Sequence, residues 1–103
     1  MIILCFYVPA KNLETVKNAL FQKGAGKFNN YDCCSWETKG TGQFRPLEDS
    51  KPHIGEHDKI ERVVEYKVEM VCKKEILSEI ITELLNVHPY EEVAYHLIEQ
   101  FEF

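Results

Sequence analysis

The feature that most constrains the fold is an unbroken apolar run near the start of the chain. Residues 2–8 read IILCFYV, and Pro9 follows them. A run of β-branched and aromatic residues with no polar position is typical of a strand buried on both faces. We therefore predict a central strand, in a sheet that needs cover on two sides.

Two segments follow a helical period. In the first, over residues 12–23, Asn12 is predicted to cap the helix and Gly24 to end it in a left-handed conformation. In the second, over residues 73–87, a wide apolar stripe indicates a helix packed on the core, and Pro89 forbids its continuation. Two helices can cover only one side of a sheet.

Three further segments are predicted strands. Residues 60–72 alternate apolar and charged positions, residues 31–38 alternate less clearly, and residues 93–103 end in the pair Phe101 and Phe103. The order strand, helix, strand, strand, helix, strand predicts an α+β fold of the ferredoxin-like split βαβ type (βαββαβ). Its antiparallel sheet carries both helices on one face. A long connection over about residues 39–59 joins the second and third strands.

Length and composition indicate one domain over residues 1–103. The 45% hydrophobic and 28% charged content is that of an ordinary soluble protein. We expect a cytoplasmic protein with no membrane partner, because no apolar run is long enough to span a bilayer and no signal-peptide pattern is present. A net charge of -5 with scattered basic residues argues against nucleic acid as a partner.

The four cysteines show no CxxC pair and no zinc-ribbon spacing. Cys5 and Cys72 lie inside predicted strands, and Cys33 and Cys34 would point to opposite faces of a third. Reduced, structural thiols are favoured, since free cysteine commonly behaves as a small buried hydrophobe. Reactive or metal-bound thiols are the alternative.

Two segments carry a family resemblance. They are residues 30–56, NYDCCSWETKGTGQFRPLEDSKPHIGE, and residues 88–95, HPYEEVAY. Both resemble the insert domain of the YqfO, or Nif-three-like, family, a module similar to CutA and to the PII signalling proteins that interrupts a larger two-metal domain. The resemblance implies a free-standing version of that insert with the CutA/PII-like fold. It assigns the dinuclear metal chemistry to the flanking domain, and it places Cys33 where the family often has His.

The resemblance also bears on assembly. CutA and PII relatives form trimers through their sheets and bind ligands in clefts between subunits. A homotrimer is therefore expected here, in agreement with an apolar first strand whose second face the helices cannot cover. The alternative is that the polar face of the strand over residues 60–72 is solvated, and that the first strand is an edge strand with more apolar residues than an edge needs.

Several side chains are candidates for binding. The Gly40-Thr41-Gly42 stretch indicates a hairpin or bulge, with ligand cradling as the alternative, and it lacks the ending of a phosphate loop. Arg45 can grip a carboxylate or phosphate, or it can form a surface salt bridge or stack on Trp36 or Phe44.

The histidines suggest metal chemistry only weakly. His53 and His57 have HxxxH spacing, but Pro52 and Gly55 argue against the helix that would bring them to one metal. His88 is expected to cap the second helix, with its charged form favoured by the helix dipole.

Three classes of function follow. The first is a trimeric binding or regulatory module that holds a small polar ligand or a divalent metal ion where residues 31–56 meet the HPYEE turn, residues 88–92. Its candidate ligand-binding residues are Trp36, Arg45, His88, Tyr90, Glu91 and Glu92, and its weak metal candidates are His53, His57, His88 and Glu91.

The second class is an enzyme that uses His88 or His53 with a nearby glutamate as acid and base. The sequence shows no nucleophile elbow or triad order, so catalysis is less favoured than binding. The third class is a structural module that contacts another protein through Trp36, Phe44 or the aromatic tail. No cofactor is indicated beyond the candidate metal ion.

Overall fold

The computed structural model describes residues 1–101 and shows a four-stranded antiparallel sheet with two helices on one face. The chain runs through β1 (Ile2–Pro9), α1 (Leu13–Gln22), β2 (Trp36–Phe44), β3 (Glu61–Cys72), α2 (Leu77–Val87) and β4 (Tyr95–Glu99). Short 3-10 turns, Ala10–Asn12 and Lys74–Ile76, precede the helices. The strand order β2-β3-β1-β4 puts the apolar first strand inside the sheet, which confirms the predicted ferredoxin-like fold.

The core lies between the helices and one face of the two central strands. Register places Leu4 opposite Met70 and Phe6 opposite Val68, and all four side chains are buried. The helices cover them with Val16 and Leu20 of α1 and with Ile80 and Leu84 of α2. Each fully buried aliphatic or aromatic side chain contributes roughly 1.5–3 kcal/mol of transfer free energy, so this layer is the main source of stability.

The end of α1 agrees with its sequence signals better than the beginning. Gly24 has φ +100°, and the amides of Gly24 and Ala25 donate to the carbonyls of Phe21 and Leu20, which is the pattern of a helix ended by a left-handed residue. Asn12 occupies the N-cap position but makes no side-chain capping bond. The predicted cap position is therefore right, but the predicted capping hydrogen bond is not made.

The second strand is displaced from its predicted position. It spans Trp36–Phe44 and not residues 31–38, so the connection before β3 begins at residue 45 and not at about residue 39. Gly40 and Gly42 pair with β3 in an unbroken register from Trp36 opposite Glu69 to Phe44 opposite Glu61. The prediction of a hairpin or bulge at these glycines is wrong.

The cysteines are free thiols. Cys5 and Cys72 are buried in β1 and β3, as predicted. Cys33 and Cys34 lie outside β2, where Cys33 is exposed with φ +54° and Cys34 is half-buried. Opposite strand faces therefore do not account for their different exposure.

The last strand is shorter than predicted, ending at Glu99, and Phe101 is 86% exposed. Phe103 lies outside the described residues. Within residues 1–101 no helix is long and apolar enough to cross a membrane.

Candidate functional site

A pocket of about 520 Å³ opens on the sheet face that the helices leave bare. Its floor is the end of the sheet where β1 and β2 finish and β3 begins. One wall is the loop of residues 46–58, hereafter the 46–58 loop, and the other is the HPYEE turn. The lining residues are Tyr7, Gly42, Gln43, Phe44, Arg45, Pro46, Leu47, Ser50, Pro52, His53, Ile54, Glu65, Tyr90, Glu91, Glu92 and Ala94.

The floor is organised around the half-buried carboxylate of Glu65. The hydroxyl of Tyr90 donates to Glu65 Oε2 over 3.0 Å. Burial and this carboxylate raise the pKa of Tyr90 well above its ordinary value, so the phenol keeps its proton and remains the donor. Gly42 leaves room for the carboxylate, because a Cβ on Gly42 would collide with Glu65 Oε1.

His88 fixes the HPYEE turn against the sheet. Its Nε2–H donates to the carbonyl of Tyr7 over 2.6 Å, and its Nδ1 accepts from the backbone N–H of Tyr90 over 3.1 Å. These partners define a neutral imidazole with both nitrogens occupied. Burial lowers the pKa of His88, so the expected charged cap is wrong: the cost of desolvation exceeds the opposing effects of the Tyr7 carbonyl and Glu65.

The 46–58 loop is closed on itself and joined to the turn. The amide of Asp58 donates to the carbonyl of Pro46 over 2.7 Å, which brings the two ends of the loop together. The amide of Lys51 donates to Glu91 Oε1 over 2.9 Å and joins the loop to the turn. The loop therefore contacts the turn, in agreement with the prediction that residues 31–56 meet the HPYEE turn.

Aromatic rings gather on the pocket side of Tyr90. The ring centroid of Tyr90 lies 6.4 Å from that of Phe44, at an interplanar angle of 51°, and 6.2 Å from that of His53, at 48°. Prolines and aliphatic side chains of the 46–58 loop complete an apolar wall. The interior favours an apolar body over a fully polar ligand.

The structure brings only some of the predicted site residues together. Arg45, Tyr90, Glu91, Glu92 and His53 line the pocket.

The other candidates lie elsewhere. Trp36 is 68% exposed at the start of β2, His57 donates to the carbonyl of Ser50, and His88 has both nitrogens occupied within the fold. Among residues 1–101 no group of three or more His, Cys, Asp or Glu side chains could hold a metal ion. The weak metal candidates therefore do not converge.

Sequence reasoning missed Tyr7 and Glu65 as pocket residues. Both come from the paired central strands β1 and β3, and both line the pocket together with residues of the loop. Gly42 carried the available signal, because glycine within a strand often marks the close approach of another group.

Comparison with known proteins agrees with the resemblance and the fold. No protein-family model matches the chain. The chain is 41% identical over 91 residues to the GTP cyclohydrolase 1 type 2 homolog of Mycobacterium tuberculosis, a match that covers 88% of the chain and 24% of that protein. It thus spans about a quarter of the length of the curated relatives it matches.

Solved structures give the same picture. The Bacillus cereus protein related to NIF3 superposes with a TM-score of 0.80 at 33% identity, over 93% of this chain and 24% of that one. CutA1 from Pyrococcus horikoshii superposes with a TM-score of 0.72 at 18% identity, over 100% of this chain and 86% of that one. The second match shows the fold alone.

Proposed function

We propose that this chain, a homologue of a segment of NIF3-related proteins with the CutA/PII-like fold, is a binding module that holds a small organic molecule. The observation that carries the proposal is the pocket between the 46–58 loop and the HPYEE turn. Its volume of about 520 Å³ lies in the range of small-molecule sites. A module that binds a metabolite can act as a regulator of the protein or assembly that contains it.

The hydrogen bonds around the pocket support this proposal. The contacts from Lys51 to Glu91, from Tyr90 to Glu65 and from His88 to Tyr7 join the loop, the turn and the sheet through the chain's own residues. A preformed site binds without the entropic cost of ordering its walls. Arg45 and Glu92, at the exposed lip, are proposed to set polar selectivity, while Trp36 and His88 are not assigned to binding.

Binding is proposed in preference to catalysis. The chain matches only about a quarter of the length of the relatives named GTP cyclohydrolase 1 type 2 homolog. An activity of the whole protein is therefore not transferred to it. The pocket histidine, His53, makes no hydrogen bond to a carboxylate within the described part of the chain, so no acid–base pair is organised there.

We further propose that the module self-associates as a trimer through the bare face of its sheet. Register aligns Ile3 of β1 with Val71 of β3 and Ile98 of β4, and Ile98 is 47% exposed. A continuous apolar row across three strands is a surface that a second copy can bury. The four free thiols fit a reducing compartment and support the proposed cytoplasmic location.

A thermal-shift screen of small organic molecules tests the binding proposal, because a ligand selective for the folded state raises the melting temperature. Ala94→Phe fills the pocket, and Ala10→Phe places the same ring at an exposed alanine outside it. We expect hits on the wild type and on Ala10→Phe that are lost in Ala94→Phe. Hits that survive in Ala94→Phe, or none on the wild type, would contradict the proposal.

A further inference from the structure

We propose that the pocket takes an organic cation: an ammonium group on an apolar body, with the nitrogen at Glu65 and the body against the 46–58 loop. This inference rests on the proposed small-molecule function and names its ligand class. It follows from one open carboxylate oxygen, three aromatic rings and the distribution of charge around the pocket.

The open hydrogen-bonding position is Glu65 Oε1. Its companion oxygen, Oε2, already accepts from the hydroxyl of Tyr90. No residue that the structure describes donates a hydrogen bond to Oε1 or forms an ion pair with Glu65. A half-buried carboxylate with one unoccupied oxygen favours a charged N–H donor, since charge-assisted hydrogen bonds are the stronger kind.

Aromatic rings line the same pocket. Tyr7, Phe44 and Tyr90 all line the pocket, with Phe44 and Tyr90 inclined to each other at 51°. The face of an aromatic ring carries negative quadrupole potential and attracts an ammonium group within about 6 Å of its centroid. An anion or a hydroxyl gains nothing comparable from these faces.

The charges around the pocket favour the same class of ligand. The acidic lining residues are Glu65, Glu91 and Glu92, and the basic ones are Arg45 and His53. Arg45 is exposed at the lip, whereas Glu65 is half-buried at the floor. An anion held by Arg45 would remain at the lip, but a cation can reach the floor while its apolar part contacts Leu47 and Ile54.

A matched set of probes separates these classes: 2-phenylethylammonium, 2-phenylethanol and phenylacetate present one ring with a cation, a neutral hydroxyl and an anion. Affinities are measured by titration calorimetry, with amide NMR shifts locating the site. We expect the ammonium to bind about tenfold or more tighter than the alcohol, and the carboxylate weakest. In Glu65→Gln the ammonium should lose this advantage while the alcohol binds as before.

Two glycines of β2 provide a second, independent test. Gly40 and Gly42 lie on the same face of the same strand, and neither has a positive φ. A Cβ on Gly42 collides with Glu65, whereas a Cβ on Gly40 meets nothing within 4 Å. Gly42→Ala should therefore displace the carboxylate and abolish the preference for ammonium, and Gly40→Ala should retain it.

The outcomes distinguish this inference from the function on which it rests. Tighter binding of phenylacetate, or an ammonium preference unchanged in Glu65→Gln, would refute the cationic ligand while pocket binding itself still stood. If none of the three probes, nor their cyclohexyl counterparts, shifted a pocket amide, both this inference and the proposed function would be wrong.

Discussion

The imidazole of His88 is placed so that protonation breaks a hydrogen bond. Nδ1 accepts from the backbone N–H of Tyr90, so a proton added to Nδ1 would point at that N–H and break the hydrogen bond. Burial is the largest influence and lowers the pKa of His88, with His53 acting in the same direction. The Tyr7 carbonyl and Glu65 oppose it.

This placement predicts how stability depends on pH. Because the pKa of His88 in the folded state lies below its ordinary value of 6.5, the unfolded chain binds more protons between the two values. The contribution of neutral His88 to the free energy of unfolding is fully present above pH 6.5 and is lost as the pH falls toward its lower pKa in the folded state. Urea unfolding at pH values from 8 to 5 should show this loss.

Substitution isolates the residue responsible. His88→Gln should lower the free energy of unfolding at pH 8 by about 1–3 kcal/mol, because the carbonyl of Tyr7 or the amide of Tyr90 loses its partner. It should also flatten the pH dependence. His57→Gln, at an exposed histidine of the 46–58 loop, is the control for replacing a histidine by glutamine. An unchanged slope in His88→Gln would show that another group titrates.

At the scale of elements, the 46–58 loop is held to the HPYEE turn by a bond that one glutamate makes and its neighbour does not. Glu91 accepts from the amide of Lys51, whereas Glu92 makes no hydrogen bond or ion pair among the residues described. In Glu91→Ala, hydrogen exchange at the Lys51 amide should accelerate about threefold to tenfold. Glu92→Ala should leave it unchanged, and equal effects in both variants would contradict the arrangement.

The second helix offers a matched pair of leucines for testing the core. Leu84 is fully buried against the sheet, and Leu85 is 49% exposed. Leu84→Ala should lower the free energy of unfolding by about 2–5 kcal/mol, since it leaves a cavity. Leu85→Ala should cost less than about 1 kcal/mol. Denaturant unfolding of both variants measures the difference. Similar losses would contradict the assignment of Leu84, and not Leu85, to the buried face of α2.

Elements with a buried face were predictable from sequence, and the edge strand was not. β1, α1, β3 and α2 each have an apolar side that the core selects, so periodicity locates them. Nearly every residue of β2 is exposed, and its glycines and polar residues give no alternation to read. The prediction therefore began the strand too early, at residues 31–35, which read YDCCS and lie before β2.

The candidate site was predictable only in part. Sequence motifs indicated that the segment around Arg45 would face the HPYEE turn, and the bond from Lys51 to Glu91 shows the two in contact. The floor was not predictable, because Tyr7 and Glu65 enter through strand pairing between distant parts of the chain. Burial likewise removed the expected charge of His88, because the depth of a residue in the folded protein cannot be read from its sequence neighbours.

At the scale of the whole molecule, the two helices cover one face of the sheet. The other face carries the 46–58 loop at one end and is available to a partner farther along. The pocket occupies one end of this bare face, where Glu65 and Tyr7 lie. The apolar row of Ile3, Val71 and Ile98 lies farther along β1 and β3. Ligand binding and self-association would therefore use different parts of one surface, so an occupied pocket need not block assembly.

The proposed trimer can be tested with two neighbouring residues of β4 that face opposite sides of the sheet. Ile98 pairs with Ile3 on the bare face, and Leu97 pairs with Leu4 on the helix side, with similar exposures of 47% and 42%. Sedimentation of the wild type should give the mass of a trimer. Ile98→Glu should give monomers at micromolar concentration, because a buried unpaired carboxylate is costly, while Leu97→Glu should remain assembled. A monomeric wild type, or dissociation by Leu97→Glu alone, would show that the bare face is not the interface.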